Sequence, residues 1–153
     1  MAQTKGCGYK EVLAVFYSSR ISLTETDFND NTMSSVMTQI QKKSMSKPDE
    51  TRKFDKGKID VTVVGDTSIG KATFEPGWKW STSVKPIVKT NSCQVAHTMY
   101  VISGQMKVKM DDGSEGEFGP GDTGIVPPGH DAWVVGNEPC VAIDFTGAKT
   151  YAK

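Results

Sequence analysis

The chain alternates most cleanly at residues 105–110, "QMKVKM". Met106, Val108 and Met110 fall on one side and Gln105, Lys107 and Lys109 on the other, the period-two signature of a half-buried strand. "KIDVTVV" repeats the pattern around Ile59, Val61 and Val63. "KATFE" precedes a Pro76-Gly77 turn, and "WKWST" reads as a further strand with Trp78 and Trp80 on one face. "TGIV", "AWVV" and "CVAIDF" supply more short strands. Asp111-Asp112-Gly113 is a hairpin signal, and "GPGD" at 119–122 marks another turn. Short strands at this spacing, with no helical stretch between them, predict an all-β sandwich or barrel. Helical periodicity occurs elsewhere. Met33, Val36, Met37 and Ile40 stand at i, i+3, i+4 and i+7, which predicts a short helix over about 32–43 with Asn31 or Thr32 as its cap.

Composition separates these two regimes. All seven prolines, all three tryptophans and thirteen of the fifteen glycines follow residue 47, whereas residues 1–46 hold twelve Ser and Thr. The expected organisation is an N-terminal extension over 1–46, partly helical or disordered, a β-domain over 54–147 and a tail over 148–153. Eighteen basic and eighteen acidic residues cancel, and no basic stripe runs along the chain. That removes the electrostatic footprint of a nucleic-acid partner. The apolar run "VLAVFY" at 12–17 is too short to span a bilayer. It follows Glu11 and precedes no small-residue cleavage pattern, so a secretory signal is not expected. Three widely spaced cysteines, Cys7, Cys93 and Cys140, form no CxxC pair. A disulfide framework is not indicated, and the expected location is the cytoplasm.

Residues 97–137, "HTMYVISGQMKVKMDDGSEGEFGPGDTGIVPPGHDAWVVGN", resemble the cupins, a superfamily of small β-barrels. "YVISG" followed by a hairpin matches the end of the first cupin motif. Gly121, five residues and Pro127-Pro128-Gly129 match the front of the second. The resemblance implies a single jelly-roll barrel that pairs as a homodimer. It also implies a divalent metal held by two histidines in H-x-H, a carboxylate and a third histidine. Those four positions fall here on Asn91, Cys93, His97 and Ala132, so this chain departs from the pattern at every one. His130 lies two positions before the last.

A different constellation is available. On an extended strand Cys93, Val95, His97, Met99 and Val101 share a face, with Tyr100 and Ile102 on the other. If His130 approaches from the facing strand, Cys93, His97 and His130 offer one thiolate and two imidazoles to a divalent transition metal: Zn, Fe, Ni, Cu or Mn. The bland alternative is a buried Cys and a core histidine. A metal-free alternative makes His97 an acid or base in an isomerase or epimerase, oriented by His130 and Asp131 or by Asp144. Asp144 lies on "CVAIDF": the expected phase packs Val141, Ile143 and Phe145 inward and leaves it solvated and inert, and the opposite phase, with Cys140 and Ala142 inward, brings it into the lumen. Trp78, Trp80, Tyr100 and Trp133 are candidate ligand-binding aromatics, although tryptophan more often packs a core. The expectation is a cupin that binds a small polar molecule, through a metal or as a metal-free sensing module. In an enzymatic version the chemistry is dioxygen activation or isomerisation.

Overall fold

The computed structural model describes residues 40–153. Two sheets face each other. The larger has the order β1-β2-β3-β9-β4-β7, built from β1 (Glu50–Phe54), β2 (Gly57–Val64), β3 (Thr67–Phe74), β4 (His97–Ser103), β7 (Thr123–Val126) and β9 (Cys140–Asp144). The smaller is β6-β5-β8, from β5 (Gln105–Met110), β6 (Glu115–Phe118) and β8 (His130–Val135). All named pairings are antiparallel. The predicted all-β architecture is the one observed. Alternation sets the inner face: Met106 and Val108 are buried while Lys107 and Lys109 turn outward to pair with Glu115. The expected Asp111-Asp112-Gly113 turn joins β5 to β6, closed by the Met110 N–H on the Ser114 carbonyl at 2.8 Å. Gly104 turns β4 into β5 with a φ of +71°, and the Pro139–Cys140 backbone fills the space a Cβ would need.

"WKWST" is not a strand. Trp80–Ser83 forms α1 and Lys85–Val88 forms α2, and residue 79 keeps only an isolated bridge to Trp133. Trp80 and Val84 are four apart and both buried, so the governing period there is helical rather than alternating. Asp131 Oδ1 accepts the Ser81 N–H at 3.1 Å at the start of α1, and its Oδ2 lies 3.4 Å from Lys79 Nζ. Its carboxylate is therefore engaged there, away from His97. The helix expected over about 32–43 lies mostly outside the described residues, and residues 40–43 are not helical. No helix among the described residues is long and apolar enough to cross a membrane.

The folded unit uses residues on both sides of 54–147. Strand β1 begins at Glu50, and the segment after β9 places Ala148 and Tyr151 in the core. Arg52 on β1 fastens that segment. Its guanidinium donates to the carbonyls of Ala148 at 2.8 Å, Tyr151 at 2.7 Å and Lys149 at 3.3 Å, while Glu50 holds it from the other side. The Arg52 side chain is only 9% exposed, so these bonds are shielded from competing water. Arg52→Ala strands three carbonyls. The expected cost is about 2–3 kcal/mol of stability, read as a lower denaturant midpoint with an unchanged slope.

Candidate metal centre

Three side chains converge at one end of the lumen. Cys93 lies ahead of β4 and exchanges two backbone bonds with the start of β8: its N–H donates to the His130 carbonyl at 2.8 Å, and its carbonyl accepts from Gly129 at 2.7 Å. This isolated bridge does what the sequence could not guarantee. It ties the Cys93 loop to the "PPGH" turn and fixes the thiol beside His130. His97 opens β4 with its ring on the inner face. Cys93 Sγ lies 3.6 Å from His97 Nε2, and the His97 and His130 ring centroids are 5.4 Å apart at 72°. One ligating atom from each of Cys93, His97 and His130 lies within 4.8 Å of the others. Cys93 is 2% and His130 is 4% exposed.

Both imidazoles have their Nδ1 taken. His97 Nδ1 is 2.6 Å from Asp144 Oδ2, and His130 Nδ1 is 2.7 Å from the Pro127 carbonyl. Each acceptor draws a proton to Nδ1, so Nε2 is the atom that offers a lone pair once any proton of its own has left, the arrangement that orients histidine ligands toward metals. Asp144 is itself held, with Oδ1 accepting from Thr146 N–H at 3.0 Å and Gly147 N–H at 2.9 Å. The expectation that Asp144 is solvated is therefore wrong. Its strand packs Cys140, Ala142 and Asp144 inward and leaves Phe145 46% exposed. The small side faces in: Ala142 pairs with Ala72 on one flank and Val101 on the other, and all three are buried.

The electrostatics follow. Burial pushes the Cys93 thiol up, but the His130 and His97 imidazoles beside it outweigh burial and bring it down to about 6. Burial pushes His97 down, but Asp144 and the Cys93 thiolate overcome it and raise it to about 9. Burial pushes Asp144 up, and His97 with the backbone N–H groups brings it below its ordinary value. Without a metal, the neutral-pH state is thus a thiolate, an imidazolium and a carboxylate in a row.

Tyr151 and Gly147 were not legible as site residues. The Tyr151 ring packs edge-on against His97 with centroids 5.4 Å apart. At Gly147 a Cβ would stand 2.5 Å from His97 Nδ1 and 2.6 Å from Asp144 Oδ2. Gly147→Ala must therefore push the pair apart. A metal affinity about 10- to 100-fold lower is expected from this loss of orientation. Titration with Zn²⁺ and the His97 ring signals in NMR check it.

The four proposed ligand-binding aromatics divide. Trp78 and Trp80 line the interior cavity and are each 2% exposed, and Trp78 packs against Phe74 and Phe54 as a core residue. Tyr100 lies on the outer face at 42% exposure, and Trp133 turns outward beneath Lys79. Neither lines that cavity. Asn91 is exposed and offers only its backbone carbonyl, to Lys85.

Residues 81–142 match the family model described as an EutQ-like cupin domain. Over that stretch, from α1 into β9, the barrel is cupin-like. No curated protein matches the chain. Among solved structures, the chain is similar to Lactobacillus farciminis oxalate decarboxylase in its formate complex, with 19% identity, a TM-score of 0.49, and coverage of 67% of this chain and 32% of that one. It is also similar to an Acinetobacter protein of unknown function, at 15% identity and a TM-score of 0.47, covering 63% of this chain and 89% of that one. An S161A mutant of Bacillus subtilis oxalate decarboxylase matches at 21% identity and a TM-score of 0.48, covering 67% of this chain and 28% of that one. The chain thus spans about a third or less of the oxalate decarboxylases it matches. Asp144, on β9, stands behind His97 rather than on its strand.

Proposed function

We propose that this cupin binds one divalent transition metal through Cys93 Sγ, His97 Nε2 and His130 Nε2, leaving an open position for a small ligand. The observation that carries the reading is the shared logic of the two histidines. Each Nδ1 is fixed by an acceptor, and the two rings come together at the same thiol. The 3.6 Å between Sγ and His97 Nε2 suits two ligands on one ion, since metal–ligand bonds of about 2.0–2.3 Å at tetrahedral angles separate donors by roughly 3.5 Å. Thiolate with two imidazoles favours Zn²⁺, Fe²⁺ or Cu over Mg²⁺ or Ca²⁺. Such an ion, when bound, supplies a Lewis acid and an open coordination position. The chain's own residues hold it, orient the two imidazoles and, through Asp144, keep the His97 proton on Nδ1.

The test is direct. Purified protein is analysed for metals, stripped, and titrated with Zn²⁺. One equivalent that binds at micromolar affinity or tighter supports the reading, and failure to retain or rebind any transition metal overturns it. The metal-free acid–base reading fares less well. A His97 raised to about 9 is already protonated at neutral pH, so it can donate a proton but cannot take one up as a general base.

A further inference from the structure

The interior cavity that His97 and His130 line has its own chemistry, and it narrows what can sit there. Its volume is about 50 Å³, room for about three to five water-sized groups. Most of the wall is apolar: Ile59, Phe74, Met99, Met106, Val108 and Val126 among others. Lys and Arg are missing from the lining among the described residues. One donor there is unpaired, the buried Trp78 indole N–H, and the charged and imidazole groups are engaged. Asp144 serves His97 and two backbone N–H groups, and His130 Nδ1 serves Pro127.

From this we infer that the cavity takes a small molecule of about three to five non-hydrogen atoms, mostly apolar, uncharged or singly negative, with one ligating atom at the metal. This deepens the metal reading and rests on it for the ligating atom. Charge sets the limit. A divalent ion with the Cys93 thiolate and the Asp144 carboxylate sums to zero before any ligand arrives. One negative ligand leaves a single uncompensated charge beside the ion. A dicarboxylate adds a second that no lining cation meets, in a wall that cannot solvate it. A sugar brings several hydroxyls to a wall with few free partners, and each would be left unpaired. The expected "small polar molecule" thereby becomes a small ligand with one polar end.

Met99 and Met106 both line the cavity and report its occupancy without reference to the metal. The protein is labelled with ¹³C at the methionine methyls, and the two signals are assigned with Met99→Leu and Met106→Leu. The Zn²⁺-loaded protein is titrated with azide, acetate, succinate and glucose. Azide and acetate are expected to shift both methyls saturably, with succinate at least about tenfold weaker and glucose without effect. Succinate or glucose acting at the concentration of acetate overturns the inference. So do unmoved methyls with azide and acetate in protein that has bound Zn²⁺, an outcome that leaves the metal reading standing. The metal-free protein is titrated with xenon as a separate arm. Shifts at both methyls there, in protein that never binds Zn²⁺, support the cavity and sink the metal. An unmoved pair under xenon overturns the cavity.

Discussion

Cys93→Ala is expected to lower Zn²⁺ affinity by at least about 100-fold while leaving the barrel folded. Loss of an orienting partner behind a ligand already costs about 10- to 100-fold in other metal sites, so loss of a ligand atom sets that as a floor. Sulfur matters most here because it is the one anionic donor in the set. The backbone bonds that place Cys93 against His130 and Gly129 survive the substitution, since they use its N–H and carbonyl. The buried thiol is small, so the cavity left behind costs about 1 kcal/mol or little more. Competition against a chelator of known affinity measures the first effect, and a denaturant melt measures the second. Unchanged affinity in a folded variant removes Cys93 from the site.

The second large effect is a proton. Between about pH 6 and about pH 9 the metal-free site holds the Cys93 thiolate and the His97 imidazolium. A metal at His97 Nε2 must displace the proton carried there, so binding in that window releases about one proton from this pair. Affinity then rises about tenfold per pH unit until His97 titrates near 9, and levels off above it. Below about 6 the thiol is protonated too, and at least one more proton must leave. Calorimetry near neutral pH in buffers of different ionisation heat counts the protons. A pH-independent affinity between 7 and 8.5 would contradict the His97–Asp144 pairing as the controlling interaction.

The same pair sets how the empty protein responds to pH. Cys93 titrates lower in the folded chain than its ordinary value, so its contribution to stability grows as pH rises through 6 and is complete above its unfolded value of 9. His97 titrates higher, so its contribution is full below its unfolded value of 6.5 and is lost as pH rises through 9. The two slopes oppose each other between 6.5 and 9 and largely cancel. A flat stability profile in that range is the expected result, and His97→Gln should expose the rising Cys93 limb, reduced because His97 is one of the groups lowering that thiol.

Much of the fold is written in local periodicity. "QMKVKM" states its inner face in its own letters, and the turns at 111–113 and 119–122 carry glycine where the backbone needs it; "KIDVTVV" does so only in part, since Ile59 and Val61 are buried but so are Asp60 and Thr62, while Val63 is exposed. Cys93 and His97 stand close together in the sequence, whereas the approach of His130 was only a condition there, and the backbone bridge between Cys93 and His130 is what meets it. What could not be read has a common cause. Asp144, Tyr151 and Gly147 act through contacts across the barrel, and neither face of "CVAIDF" is polar enough to declare its phase. The phase is set by the neighbouring strands, where Ala142 takes its place between the buried Ala72 and Val101. Trp80 misled for a related reason. Its partner is Val84 four residues on, and the two-residue spacing to Trp78 is incidental.

The central claim is that one ion sees sulfur and two imidazole nitrogens at once. X-ray absorption of the Zn²⁺-loaded protein measures this at the metal edge. The account predicts one sulfur at about 2.3 Å with nitrogen or oxygen neighbours at about 2.0–2.1 Å, imidazole scattering from two rings, and loss of the sulfur shell in Cys93→Ala. A bound ion surrounded only by nitrogen and oxygen would contradict it.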